Sequence, residues 1–143
     1  MTNNLLVLGA EQISSILDGK ETEIIDIVKN TYLFHNQGET SLPHSVFLRF
    51  PNDERNRIIG LPAYEMSTGR VNAVLEGSII SAKRTAASAA LAAKYLHLNA
   101  DEKAIGLVGC GRINKEILLF VKSVFPQIYK IYLFDLSDER MDK

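Results

Sequence analysis

The stretch Ala104-Ile-Gly-Leu-Val-Gly-Cys-Gly-Arg-Ile-Asn-Lys-Glu-Ile117 carries the plainest chemical message in the chain. It reads as a short apolar strand, a Gly-x-Gly turn and the first turns of a helix. A second apolar strand, Ile131-Tyr-Leu-Phe134, follows and ends on Asp135. Strand, glycine turn, helix and strand-terminal acid in this order make the first part of a dinucleotide-binding βαβ unit. Gly109 permits the tight turn, and Gly111 lets a pyrophosphate approach the backbone. The helix start offers free N–H groups and a partial positive charge to phosphate. Asp135 stands close to where the ribose-binding acid belongs, and an acid there favours NAD because it repels the 2′-phosphate of NADP. The third glycine of the fingerprint is replaced by Asn114, which loosens the expected helix–strand packing. The alternative is a βαβ unit whose glycines only make a turn.

These residues need elements to hold them. Leu5–Leu8 reads as a strand, and Ala10–Leu17 and Glu21–Gln37 as helices. Ile24, Ile25, Ile27, Val28, Tyr32 and Leu33 form an apolar face on the second helix, and Gly38 is its stop. Strands are expected at Ser45–Phe50, Arg57–Tyr64 and Val71–Leu75, with turn chemistry at Pro51-Asn-Asp-Glu54 and Thr68-Gly69. Gly77 to Leu96 predicts a long alanine-rich helix, able to approach neighbouring backbone closely. Lys83-Arg84-Thr85 interrupts its small residues. A solvated face is the simple reading, more readily for Lys83 than for Arg84. Arg84 is the candidate to face a cofactor or a substrate carboxylate, since a guanidinium matches carboxylate or phosphate geometry. Thr85 is placed to add a hydroxyl to a phosphate oxygen. Asn99-Ala-Asp-Glu102 marks a boundary, giving an α/β chain with a mixed domain over residues 1–98 and the start of a parallel Rossmann-type sheet over 99–143.

The 143 residues are 46% hydrophobic with a formal net charge of −1, which fits one ordinary globular core and gives no basic surface for nucleic acid. Cys110 is the one cysteine, so no internal disulfide forms and a reducing, cytoplasmic setting is expected. Cys110 itself reads as a small turn residue or as a thiolate stabilised at a helix start. No signal peptide or membrane-length stretch is present. Only two strands follow Asn99, fewer than a full two-half nucleotide-binding sheet, so the sequence reads as an N-terminal portion of a larger enzyme or a truncated product.

Glu76-Gly-Ser-Ile-Ile-Ser-Ala-Lys-Arg-Thr-Ala-Ala-Ser-Ala-Ala90 together with Gly109-Cys-Gly-Arg-Ile-Asn114 resembles the ornithine cyclodeaminase/mu-crystallin family. The likeness is strongest to its 2,3-diaminopropionate biosynthesis dehydrogenases, which also resemble Pro43-His-Ser-Val-Phe-Leu-Arg49 and Arg57-Ile-Ile-Gly-Leu-Pro-Ala-Tyr64. The resemblance implies a homodimeric, NAD-dependent enzyme of siderophore or peptide-antibiotic biosynthesis. It would oxidise N-(1-amino-1-carboxy-2-ethyl)glutamate at the glutamate α-carbon, with hydride passing to NAD⁺ and water attacking the imine. The products would be 2,3-diaminopropionate, 2-oxoglutarate and NADH. By the same resemblance Arg84, and more weakly Arg49, bind substrate carboxylate. Arg84, Thr85, Gly109, Gly111, Arg112, Ile113 and Asp135 contact the cofactor. Ser45 stands where relatives often carry a basic residue. The family's Gly-x-Lys-Trp segment has no counterpart near Glu65, and its catalytic aspartate would lie beyond Lys143, so no catalytic acid–base residue is identified. Ornithine cyclodeaminase, or a non-catalytic binding protein like the crystallin branch, are the rival readings.

Among the remaining polar residues, His35 and His97 read as helix-end residues and His44 as a loop residue near substrate or solvent. No set has metal-ligand spacing. Glu76 reads as a helix-start carboxylate or a polar contact in the cleft. Phe125, Tyr129, Tyr132 and Phe134 are expected to pack the βαβ core.

Overall fold

The computed structural model describes residues 5–40, 45–61, 71, 73–97 and 101–142. His44, the Thr68-Gly69 turn, the end of the Arg57–Tyr64 strand and Asn99-Ala100 lie outside them. The elements run β1 (Leu6–Leu8), α1 (Ala10–Leu17), α2 (Glu21–Asn36), β2 (Val46–Phe50), β3 (Asp53–Gly60), β4 (Ala73–Leu75), α3 (Ser78–Leu96), β5 (Ala104–Val108), α4 (Arg112–Val124), β6 (Lys130–Phe134) and α5 (Asp138–Met141).

Two parallel strand pairs set the architecture. β1 lies beside β4 in the register Leu6↔Ala73 to Leu8↔Leu75. β5 lies beside β6 in the register Ala104↔Lys130 to Val108↔Phe134. In both pairs the chain leaves the carboxyl end of a strand directly into a helix: β4 into α3 and β5 into α4. Parallel neighbours need such a crossover, and the turn at the strand's carboxyl end is where α/β folds bind ligands. β2 and β3 form a separate antiparallel hairpin with an irregularity between Arg49 and Phe50.

The core is helical. Ile24 and Ile25 of α2, Ala86, Ala87, Ala90 and Leu91 of α3, and Phe120 and Val121 of α4 form one buried cluster with Ile128. The alanines of α3 let α2 and α4 close on it from two sides, with Phe120 fully buried among them. This cluster joins residues before and after position 98, so the two expected segments share a core.

Helix ends follow from their residues. Gly9 N–H donates to Gln12 Oε1, securing the start of α1. Gly38, at φ +78°, ends α2 as expected of a left-handed glycine stop. Ile24, Ile25 and Val28 turn inward on α2, whereas Ile27, Tyr32 and Leu33 of the expected apolar face are exposed. A helix packed chiefly against α3 and α4 buries a narrower stripe than its apolar residues offer. β3 begins four residues earlier than its apolar run, because the tight turn at Pro51-Asn52 puts Asp53 straight opposite Phe50. The aromatic expectation for the βαβ unit is corrected in the same way. Phe125 is half-buried against the core, but Tyr129, Tyr132 and Phe134 are exposed. Among the described residues β6 has one strand neighbour, β5, and these rings stand outside the buried cluster.

Candidate nucleotide-binding site

The glycine turn takes the shape its residues require. Gly109 has φ +95°, a conformation side chains rarely adopt, and its N–H donates to Phe134 O at 2.6 Å, extending the β5–β6 ladder by one rung. Gly111 is the N-cap of α4 with an ordinary φ of −79°. A Cβ there would meet nothing within 4 Å. Neither backbone strain nor internal crowding therefore calls for glycine at position 111; what remains is clearance for something approaching from outside.

Two helix starts can be compared. At α3, Glu76 accepts from Ser78 N–H at 2.7 Å and from Ile79 N–H at 3.2 Å, so the chain's own carboxylate occupies that positive end. Bonds from Ser78, then Ile79 and the charge of Arg112, hold the Glu76 carboxyl below its ordinary value of 4.5 against partial desolvation. Of the two sequence readings for Glu76, the helix-start carboxylate is the one observed. At α4 no side chain among the described residues caps the start. Its first N–H groups lack intrahelical partners by construction and point out of the helix end, the geometry that receives anions in other helices. Arg112 and Ile113 stand exposed on its first turn.

Asp135 bonds the turn from the end of β6. Its Oδ2 accepts from Cys110 N–H at 2.7 Å and its Oδ1 from Ser137 N–H at 3.0 Å. These bonds, Cys110 first, and the charge of Arg140 hold the carboxyl below its ordinary value of 3.8. An ionised carboxylate accepts about four hydrogen bonds, so Asp135 keeps acceptor capacity beyond these two. The Cys110 side chain is a half-buried turn residue. The expectation that Asn114 loosens this packing is corrected: its Nδ2 donates to Val108 O at 2.8 Å and Gly109 O at 2.7 Å. It binds helix to strand where the third glycine would have packed.

The long helix carries Arg84 and Thr85 next to Lys83, and reverses the expectation for that neighbour. Lys83 is 3% exposed, with Nζ 3.0 Å from Asp18 and 3.2 Å from Glu116. It is buried because two carboxylates, one from the end of α1 and one from α4, converge on it. Burial pushes its pKa down, but those two partners outweigh this and raise it above the ordinary 10.5. Arg84 is the exposed one and has no ion pair among the described residues. Thr85 Oγ1 donates to Ser81 O at 2.7 Å, so its proton is turned back on its own helix rather than toward a phosphate. Arg49 stands exposed on β2, opposite Arg57 in register, in a hairpin apart from the turn.

His35 bonds Thr40 at the end of α2, and His97 caps α3 edge-on to Phe125. Among the described residues no three His, Cys, Asp or Glu side chains are grouped to hold a metal, and no helix is long and apolar enough to cross a membrane. A concavity of about 560 Å³ lies at the opposite end of β5, between Leu96, His97, Ala104 and Phe125. It is apolar and holds none of the expected site residues, so the turn's geometry rather than volume marks the site.

Residues 58–143 match the ornithine cyclodeaminase/mu-crystallin family. The chain belongs to this family. It is 31% identical over 100 residues to a Dictyostelium discoideum protein named an uncharacterized cyclodeaminase, a stretch covering 66% of this chain and 26% of that protein. It is 36% identical over 67 residues to the N-((2S)-2-amino-2-carboxyethyl)-L-glutamate dehydrogenase of Staphylococcus aureus, covering 47% of this chain and 20% of that enzyme. Its fold is that of an archaeal alanine dehydrogenase dimer with bound NAD, at a TM-score of 0.79 and 21% identity, over 96% of this chain and 51% of the other.

Proposed function

We propose that this chain supplies the first half of the cofactor site in an NAD-dependent dehydrogenase of amino-acid conjugates. The observation that carries the reading is the uncapped start of α4 behind Gly109 and Gly111, with Asp135 bound beside it. NAD⁺, when bound, supplies the hydride acceptor. The residues of this chain hold it. The first-turn N–H groups and Arg112 face the pyrophosphate, Ile113 flanks it, and the free lone pairs of Asp135 take the ribose hydroxyls. Arg84, exposed and unpaired on the adjacent helix, takes a substrate carboxylate, with Thr85 beside it on the cofactor side after rotating its hydroxyl away from Ser81. Arg49 is the second carboxylate contact. Residues 1–98 provide the substrate and dimerisation part and 99–143 the nucleotide part, in a cytoplasmic homodimer.

The conjugate we propose is N-(1-amino-1-carboxy-2-ethyl)glutamate, oxidised and hydrolysed to 2,3-diaminopropionate and 2-oxoglutarate. The likeness to the S. aureus dehydrogenase supports it. The likeness to the D. discoideum protein supports a second reading, ornithine cyclodeamination, which returns NAD⁺ and releases ammonia. Net NADH distinguishes them. In an enzyme that completes the site, absorbance of NADH should rise on mixing with the conjugate and NAD⁺, and Arg84→Ala should lower that rate by about a hundredfold or more through loss of a charge-assisted bidentate contact. Ammonia from ornithine without net NADH would favour the cyclodeaminase. Full turnover by Arg84→Ala would remove Arg84 from the site.

A further inference from the structure

Asn114 occupies the place of the fingerprint's third glycine, and its bonds make it more than a substitute. Both hydrogens of its side-chain amide are used, one on Val108 O and one on Gly109 O, the two carbonyls that flank the strand–turn junction. A Cβ on Gly109 would lie 3.4 Å from Asn114 Nδ2, so the amide rests directly against the residue with φ +95°. On the strand side, Gly109 N–H is fixed by Phe134 O and Cys110 N–H by Asp135. The peptide groups on either side of Gly109 are thereby held at both their N–H and C=O ends.

We propose that Asn114 is a positioning residue for the pyrophosphate seat. It rests on the nucleotide reading above. Carbonyl oxygens carry partial negative charge, and a Gly-x-Gly turn serves an anion only while they are directed away from it. The amide draws the carbonyls of Val108 and Gly109 toward the helix flank. That leaves the N–H groups of Gly111, Arg112 and Ile113 as what the turn presents to phosphate. Only a donor does this. Alanine leaves both carbonyls without the amide, and aspartate of the same shape donates nothing when ionised and adds negative charge beside the phosphates.

The test is calorimetric titration of the chain, Asn114→Ala and Asn114→Asp with NAD⁺ and, separately, with adenosine, which lacks the pyrophosphate. Unfolding by circular dichroism runs alongside. NAD⁺ affinity should fall about tenfold in Asn114→Ala, the equivalent of one or two lost hydrogen bonds, and further in Asn114→Asp. Adenosine affinity should stay within about twofold of the parent. Unchanged NAD⁺ affinity in Asn114→Ala would overturn the proposal. So would an equal fall for NAD⁺ and adenosine, or loss of folding in both variants, since either would make Asn114 a general structural residue. Failure of the parent itself to bind NAD⁺ would overturn the nucleotide reading first and this inference with it.

Discussion

At the residue scale the seat is defined by what each polar atom already holds. Asp135 bonds one backbone N–H through each oxygen and keeps lone pairs outward. Its carboxyl is held below the ordinary 3.8, so its contribution is fully present above that value and disappears only as pH falls through the lower folded value. Nucleotide binding should accordingly stay level from neutral pH down to about pH 4 as far as Asp135 governs it. Asp135→Asn should narrow the preference for NAD⁺ over NADP⁺ by roughly five- to tenfold, because the charge that repels a 2′-phosphate is gone. Comparing the two dissociation constants in both proteins measures this, and an unchanged ratio would contradict the role. The tight turn at Gly109 and the place of Asp135 at the strand end were legible in sequence because they follow from backbone shape and strand position. Asn114 and Lys83 were not, because their partners are fixed only by the fold. Asn114 reaches back to the strand end, and Lys83 meets Asp18 and Glu116 from distant parts of the chain.

At the element scale, α3 is the organiser. Its alanine face admits α2 and α4, and Lys83 on the same helix ties the end of α1 to α4. Asp18 is largely exposed while Glu116 is 17% exposed, so the pair with Glu116 carries more of the energy. Lys83→Ala should cost about 1–3 kcal/mol in urea unfolding, chiefly by leaving Glu116 uncompensated, whereas Lys83→Met should cost less by keeping the apolar stem. Equal losses in both would show that the apolar stem is not what matters. Because the Lys83 pKa is raised, its contribution is fully present below about 10.5 and is lost as pH climbs through the folded value, so the difference between parent and Lys83→Met should shrink in strong alkali. The helices were legible from their periodicity and stops, Gly38 among them. The start of β3 was not, since Asp53 to Asn56 enter a strand through the geometry of the turn rather than by hydrophobic pattern.

At the scale of the whole molecule, the two parallel strand pairs send their carboxyl ends into α3 and α4. The nearness of Glu76 to Arg112 joins those ends in one region. Among the described residues one helix start there is closed by a carboxylate and the other is not, the asymmetry that the proposed anion seat calls for. The α/β class and the βαβ unit were legible because strand, glycine and helix signals agree along the chain. The exposure of Tyr129, Tyr132 and Phe134 was not, since burial of a strand face depends on which layers surround it. The most direct test of the account is calorimetric titration of the chain with NAD⁺, with NADP⁺ as the control. The account predicts saturable one-to-one binding of NAD⁺ and markedly weaker binding of NADP⁺. A folded chain that binds neither, or prefers NADP⁺, would contradict it.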